Sequence, residues 1–172
     1  MKRFGLSFRS GMLLGAGVCA GLLAFAVFMQ LRMGLEPCPL CIYQRLAFAA
    51  LGVIFLLGGL HAPADRAGCW TYALLGMVPA LLGAGVAARH VWVQSLPQDV
   101  MSSCGPPLSF LAETMGPLEV FRTVLTGTAN CGDIDWTFLG LSMPMWCLIW
   151  FLALLVWLPI NAARASAQGG KA

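Results

Sequence analysis

The chain has 172 residues, of which 59% are apolar and 10% are charged, with a formal net charge of +3 at pH 7. Ordinary globular proteins carry roughly 25% charged residues, so this composition excludes a soluble domain. The positive charges are also too few for the dense basic surface of a nucleic-acid-binding protein.

Four long runs without charge predict four transmembrane helices. The first, GMLLGAGVCAGLLAFAVFMQL from Gly11 to Leu31, can cross a hydrocarbon core about 30 Å thick. A cleaved signal peptide is the alternative for this run, but its apolar sequence extends beyond a usual signal core. The predicted spans are about 11–31, 42–60, 69–88 and 143–160. We therefore predict an all-α membrane protein, a single four-transmembrane-helix bundle over 1–172 that contacts the lipid bilayer.

The distribution of Lys and Arg predicts which ends of the spans face the cytoplasm. The N-terminus, the 61–68 loop and the C-terminus hold six of these residues; the other two loops with their adjoining helix ends hold four, together with six of the seven acids. Both termini are therefore predicted to be cytoplasmic (N-in, C-in). Loops over about 32–41 and 89–142 then face outward, toward the periplasm of a bacterium-like cell.

The second outer loop contains an amphipathic segment, LSFLAETMGPLEVFRTVL at 108–125, in which apolar clusters alternate with Glu113, Glu119 and Arg122. This pattern predicts a short interfacial helix in the second periplasmic loop, interrupted at Gly116–Pro117. The segment could bring the cysteines of this loop close to those of the first loop, or it could only cover the bundle.

The predicted topology divides the seven cysteines into two groups. Cys38 and Cys41 lie in the first outer loop, and Cys104 and Cys131 lie in the second. The outer compartment of such a cell is oxidising, which favours disulfide chemistry at these four residues. The other three lie within or at the ends of spans, where we expect them to pack as small hydrophobic side chains; they are Cys19, Cys69 and Cys147.

The CxxC spacing of Cys38 and Cys41 is typical of redox-active pairs, because so short a ring is a poor structural crosslink. A disulfide between Cys104 and Cys131 would enclose 26 residues, so it also has a structural interpretation, with a stabilisation of about 3 kcal/mol. A zinc site formed by all four cysteines fits poorly, because only one pair has the spacing of a zinc knuckle. We therefore predict no metal.

Two prolines place the CxxC at the start of the second helix. Pro37 and Pro39 disfavour helix until Leu40, so Cys41 is predicted in the first turn, where unpaired N–H groups favour a thiolate. Arg45 follows one turn later on the same face. It either supplies positive charge beside Cys41 or extends to the lipid headgroups, and position alone leaves both interpretations open.

A redox-active dithiol requires an electron acceptor. The chain has no haem-attachment motif, dinucleotide-binding glycine fingerprint or flavin motif. A lipid-soluble quinone requires none of these, because it enters from the bilayer into an apolar slot between helices. His90 and Gln94, one turn apart near the outer end of the third span, are either interfacial polar residues or part of a quinone pocket.

Four parts of the sequence resemble the disulfide bond formation protein B (DsbB) family. They are CPLCIYQR (38–45), RHVWVQSLP (89–97), Cys104 and CGDIDWTFLGLSMPMW (131–146). The resemblance implies a four-helix oxidoreductase of the bacterial inner membrane. Such a protein reoxidises the periplasmic thiol oxidase DsbA and passes the electrons to ubiquinone or menaquinone.

The same resemblance implies a role for each matching residue. Cys104 would be attacked by the thiolate of the DsbA-like partner, with Cys131 as its loop partner. Cys38 would then exchange with the loop pair, and Cys41 would engage the quinone. Arg45 would be the stabilising cation, and the resemblance also places His90 and Gln94 near the quinone.

Two alternatives to this function stay open at this point. Vitamin K epoxide reductase-like proteins also use a CxxC at a four-helix quinone site, with the reverse direction of electron flow, but the segment DWTFLGLSMP favours the DsbB family. A non-enzymatic membrane scaffold with static outer disulfides is the second alternative.

Overall fold

Four long helices form the part of the protein described by a computed structural model, which covers residues 7–34, 38–95, 116 and 136–169. Each is long and apolar enough to cross a membrane. Hydrocarbon offers no hydrogen-bond partners, so a spanning segment must satisfy its backbone groups internally, as a helix does. The helices are Phe8–Met33 (α1), Pro39–His61 (α2), Arg66–Gln94 (α3) and Met143–Gly169 (α4). The predicted all-α bundle of four transmembrane helices is thereby confirmed, and the protein is a multi-pass membrane protein.

Local capping chemistry sets the ends of the helices. Ser7 accepts a hydrogen bond from the backbone N–H of Ser10 at 3.2 Å, which caps the start of α1. Asp65 caps α3 in the same way, because its carboxylate accepts from the N–H of Gly68 at 2.7 Å. At the other end of α1, Gly34 adopts a left-handed conformation (φ 65°) that terminates the helix, and glycine reaches this conformation at little cost.

The helices are packed in sequence order around a core rich in aromatic and small residues. α1 packs on α2, α2 on α3 and α3 most extensively on α4, whereas α1 and α4 touch over a smaller area. Phe48 of α2 stacks on Phe151 of α4, with ring centroids 3.9 Å apart. The backbone of α1 approaches Phe55 closely at Gly15, where an added Cβ would lie 2.6 Å from the ring. Small residues thus allow close helix approach inside the bundle.

A short β-hairpin precedes α4. Thr137–Phe138 (β1) pairs antiparallel with Leu141–Ser142 (β2), and the two turn residues, Leu139 and Gly140, both have positive φ. Two-residue hairpin turns of this kind match the twist of the strands. The sequence analysis predicted no strand here, because it assigned residues 136–142 to the second outer loop.

The helices extend beyond the predicted spans. α3 ends six residues after the predicted limit of 88, and α4 continues nine residues past 160, since a helix need not end where it leaves the hydrocarbon. The predicted interfacial helix at 108–125 lies outside the described residues except for Gly116, and the N-in orientation stays a prediction. Because the bundle has four consecutive crossings, the start of α1 and the end of α4 share one side, and the CxxC lies at the opposite end.

Candidate redox site

The CxxC forms the first turn of α2, as the sequence predicted for Cys41. The helix begins earlier than expected, however, because Pro39 occupies its first position instead of delaying it to Leu40. Proline is well suited to that position, where its missing N–H would have no helical partner. Cys38 is the N-cap, and its Sγ lies 3.1 Å from Cys41 Sγ. This separation exceeds the roughly 2.05 Å of a disulfide bond, so the two sulfurs are not bonded to each other in this structure.

The helix N-terminus acts on Cys38. The backbone N–H of Cys41 donates to Cys38 Sγ at 3.4 Å, in the manner of an N-cap side chain. The sequence analysis had assigned this stabilisation to Cys41. The structure shows one first-turn N–H donating to Cys38, because a side chain that precedes the helix can accept from these groups; the stabilisation of a Cys41 thiolate stays a prediction.

His90 lies beside the CxxC. Its Nε2 is 3.8 Å from Cys38 Sγ, and its Nδ1 is 3.1 Å from Nε2 of Gln44. His90 and Gln44 are both almost completely buried, with 2% and 3% of their surfaces exposed. A buried polar pair of this kind fixes the orientation of the imidazole ring, so one ring nitrogen is held toward Cys38.

Arg45 is held between α1 and α2. Its Nη1 donates to Gln30 Oε1 at 2.6 Å, and its Nη2 donates to the Ala26 carbonyl at 3.4 Å. These contacts pull the guanidinium onto the neighbouring helix, and the side chain is only partly exposed. Of the two interpretations left open by the sequence, the structure therefore favours a positioned cation over an arginine extended to the headgroups.

A cleft of about 220 Å³ opens next to Cys41 and Arg45. Its lining comes from α1, α2, α4 and residues Trp136 and Phe138. Cys41, Gln44 and Arg45 supply its polar part. Most of the wall is apolar, and the aromatic members are Phe25, Phe48, Trp136, Phe138, Trp146 and Trp150.

The hairpin forms one wall of the cleft and is fastened to the bundle at two points. Ser142 donates to Gln94 Oε1 at 2.8 Å, and Trp146 Nε1 donates to the Phe138 carbonyl at 3.1 Å. The rings of Trp136 and Phe138 are parallel, with centroids 5.9 Å apart. Gln94 thus contacts the hairpin through Ser142 and does not line the cleft itself.

The structure brings together some of the predicted site residues and separates others. Cys41 and Arg45 line the same cleft, with Cys38 directly behind Cys41. His90 and Gln94 belong to α3, which contributes nothing to the lining within the described part of the chain, so they contact residues of the wall rather than the cleft itself. Cys104 and Cys131 lie outside the described residues.

Two glutamines of the site were missed from the sequence. Gln30 contacts Arg45, and Gln44 contacts His90. Polar side chains within apolar spans are costly unless they find partners, and this signal could have identified both. Their partners could not have been identified in that way, because they lie on other helices.

The three span cysteines differ in their surroundings. Cys19 is 1% exposed and packs in the core, and Cys69 is buried with its Sγ 3.4 Å from the Pro63 carbonyl. Packing therefore accounts for both. Cys147 packs against the core too, but it also lines the cleft.

Three potential metal ligands lie at the start of α2. Cys38 Sγ, Cys41 Sγ and a ring nitrogen of His90 all lie within 4.8 Å of one another. The zinc site considered from the sequence used four cysteines, two of which are outside the described residues. The histidine was not part of that hypothesis.

Comparison with known proteins identifies close relatives. The family model for "Disulfide bond formation protein DsbB" matches residues 8–160. The chain is 65% identical over 157 residues to Disulfide bond formation protein B of Xanthomonas axonopodis pv. citri, a match that covers 91% of each chain. It is 62% identical over 148 residues to the protein of the same name from Xylella fastidiosa strain Temecula1, with 86% of each chain covered.

Proposed function

Because the chain belongs to the DsbB family of disulfide bond formation proteins, and its role is that of a membrane disulfide oxidoreductase, we propose that it reoxidises a periplasmic DsbA-type thiol oxidase and delivers the electrons to a membrane quinone. The observation that carries this proposal is the position of Cys41 and Arg45 in the wall of one aromatic cleft. A reactive sulfur, a cation and flat apolar walls suit a quinone ring. Bacteria keep the periplasm oxidising through a DsbA–DsbB–quinone chain of this kind.

The proposed electron path consists of two dithiol–disulfide exchanges and one oxidation. The partner's two thiolates reduce the Cys104–Cys131 disulfide and become a disulfide themselves. The loop pair then reduces the Cys38–Cys41 disulfide in the same way, which returns the loop pair to its oxidised form. Each exchange breaks one S–S bond and forms another. The Cys38–Cys41 pair then holds two thiols, whose sulfurs lie 3.1 Å apart in the structure.

The residues of the chain have separate tasks in the final step. Bound quinone supplies an acceptor for two electrons and two protons. Cys41 presents its sulfur to the cleft, and Cys38, 3.1 Å behind it, is placed to close the disulfide. Arg45 holds positive charge at the cleft wall, where negative charge on oxygen develops during reduction. His90 and Gln94 act as positioning residues, through Gln44 and Ser142.

A quinone also satisfies the energetic requirement. A DsbA-type partner is a strong oxidant with a reduction potential of about −120 mV, and about 30 mV is worth a factor of ten for a two-electron couple. Reoxidation of this partner therefore requires an acceptor of still higher potential. A quinone coupled to respiration meets that requirement, and the proposal covers either ubiquinone or menaquinone.

The direct test is turnover by the purified full-length protein in detergent. Reduced DsbA-like partner is mixed with a soluble ubiquinone, and the quinone absorbance is followed. We expect catalytic loss of the quinone band, abolished in Cys41→Ser and unchanged in Cys19→Ala, which removes a buried thiol of the core. Cys104→Ser should block transfer from the partner while the Cys38–Cys41 pair still reacts with quinone.

Other outcomes of this test select among the alternatives. Oxidation of added quinol with reduction of the partner would favour the reverse reaction of vitamin K epoxide reductase-like proteins. Cysteine pairs that resist mild reductants and show no turnover with ubiquinone or menaquinone would indicate a static scaffold. Normal turnover in Cys41→Ser would refute the assignment of the cleft.

We further propose that the CxxC end faces the periplasm in the bacterial inner membrane. The support is the excess of Lys and Arg at the other end of the bundle. The turn between α2 and α3 provides the test, because Ala64 is exposed there. A membrane-impermeant maleimide should add label to Ala64→Cys, beyond that on the parent's own cysteines, only after the membrane is permeabilised, and such added label in intact spheroplasts would reverse the orientation.

A further inference from the structure

Three soft ligand atoms converge at the start of α2, where Cys38 Sγ, Cys41 Sγ and the His90 ring nitrogen lie within 4.8 Å of one another. We propose that the dithiol form of the CxxC, completed by His90, is a binding site for a thiophilic divalent cation, with Zn²⁺ as the best match. The disulfide form has no such site. The cation therefore acts as an inhibitor that recognises one redox state of the protein.

The distances fit a tetrahedral cation after small side-chain movements. Zn–S bonds of about 2.3 Å and Zn–N bonds of about 2.0–2.1 Å place tetrahedral ligand atoms roughly 3.5–3.8 Å apart. The Cys38 Sγ–His90 Nε2 distance is already 3.8 Å. The two sulfurs, at 3.1 Å, must separate by a fraction of an ångström, which rotation about the Cα–Cβ bonds provides.

Gln44 supplies the outer contact that histidine ligands of metals commonly have. Metal-binding histidines usually donate their second ring N–H to an oxygen, which fixes the ring and its tautomer. Gln44 lies 3.1 Å from His90 Nδ1 through its amide nitrogen. A half-turn of the amide presents Oε1 to Nδ1 instead, so that Nδ1–H donates and Nε2 keeps the lone pair that a cation requires. The side chains of His90 and Gln44 are both buried, so the orientation of the imidazole ring is fixed before a cation binds.

The chemistry of the three ligands favours zinc-like cations over hard ones. Thiolate and imidazole select Zn²⁺ or Cu⁺, whereas Ca²⁺ and Mg²⁺ require oxygen ligands. Cys38 and Cys41 are partly exposed, which leaves a coordination position for water and a route of entry. A site with three protein ligands and one open position is a known arrangement for zinc.

Redox selectivity follows from the ligand count. Binding deprotonates the two thiols, whose protons pass to solvent, and no electrons are transferred. A disulfide removes both thiolates and leaves only His90, which cannot hold the cation alone. A cation bound to both sulfurs keeps them from forming the disulfide, so inhibition by the cation rests on the proposed function. The binding of the cation does not depend on that function.

The test is a cobalt titration of the phosphine-reduced, full-length protein in detergent without partner or quinone. Cys104→Ser and Cys131→Ser are included to remove the loop thiols. Co²⁺ alone is added anaerobically, and thiolate-to-cobalt charge-transfer and d–d bands are recorded, followed by displacement with Zn²⁺. We expect one cation per chain in the reduced protein, none after oxidation, and loss of the thiolate bands in Cys38→Ser.

The contribution of His90 distinguishes the proposed site from cation binding by two thiols alone. His90→Ala should weaken binding and alter the d–d bands, and Gln44→Leu should weaken it by about 10–100-fold, the usual effect of removing an outer contact. The matched control is His61→Ala, because His61 lies at the other end of α2, where it contacts the Tyr72 hydroxyl at 2.9 Å. Equal affinity in His90→Ala and the parent, or equal binding by the oxidised protein, would overturn the proposal.

Failure of the cation site and failure of the proposed function give different experimental outcomes. A protein that turns over quinone but gives no cobalt bands refutes the cation site alone. A protein that binds cobalt with the expected His90 dependence but shows no turnover refutes the proposed function alone. If the protein both binds cobalt and turns over quinone, turnover should fall on addition of Zn²⁺ and recover with a chelator. Inhibition by Zn²⁺ should weaken in Gln44→Leu in proportion to the loss of cation affinity in that variant.

Discussion

Replacement of Gln30 by leucine would isolate the contribution of Arg45 positioning to the proposed reduction of quinone. Gln30 Oε1 accepts from Arg45 Nη1 at 2.6 Å, and the second bond of Arg45, to the Ala26 carbonyl, is long at 3.4 Å. Leucine has a similar volume, so the helix packing is retained while the acceptor is lost. The guanidinium is then free to leave the cleft wall, where the proposed function requires its charge to stabilise the reduced oxygen of a quinone.

The expected loss of kcat/KM follows from the type of hydrogen bond that Gln30 makes to Arg45. Hydrogen bonds to charged groups contribute about 1.5–3 kcal/mol. The lower end applies here because Arg45 is partly exposed and keeps the Ala26 contact, and about 1.4 kcal/mol corresponds to a factor of ten. We therefore expect Gln30→Leu to lower kcat/KM for quinone about tenfold.

The assay varies the quinone concentration at saturating reduced partner and follows quinone absorbance. Dithiol–disulfide exchange with the partner, measured without quinone in a single turnover, should be unchanged. Gln30→Glu keeps an acceptor for Arg45 but places a negative charge against the guanidinium, so it should hold Arg45 in place and still lower kcat/KM for quinone. Parent-like quinone kinetics in Gln30→Leu, or an equal loss in the exchange step, would refute the positioning role.

Three further predictions concern the bundle and the hairpin. Gly15→Ala should lower the free energy of unfolding in detergent by about 1–3 kcal/mol through overpacking against Phe55, whereas Gly17→Ala should not, because nothing lies within 4 Å of a Cβ there. Ser142→Ala removes a neutral hydrogen bond worth about 1 kcal/mol and should raise KM for quinone about fivefold, measured in the same kinetic assay; an unchanged KM would show that the hairpin wall does not need this bond. Asp65→Ala should cost about 1 kcal/mol of stability by loss of an N-cap without affecting turnover, and altered kinetics would contradict the separation of this helix end from the site.

Much of the molecule could be predicted from the order of its residues. The four spans were predictable because hydrocarbon admits few charges and requires local helical hydrogen bonding, and both constraints act along a continuous stretch of chain. The position of Cys41 in the first turn of α2 was predictable from nearby prolines. The family was recognisable from short motifs. The hairpin was missed because its signal, a Leu139–Gly140 turn with positive φ, is confined to two residues within an apolar run.

Only the tertiary structure determined which polar side chains meet. Cys38 and His90 are 52 positions apart, and Gln30 and Arg45 are 15 apart on different helices. Whether such residues face each other depends on the rotation of each helix about its own axis. The packing of large rings against small residues sets that rotation, as where the α1 backbone meets Phe55. The sequence alone therefore determined the spans and the place of the CxxC at the start of α2. Packing placed Cys41 and Arg45 at the cleft and His90 behind Cys38, because those positions depend on contacts between helices that no local pattern encodes.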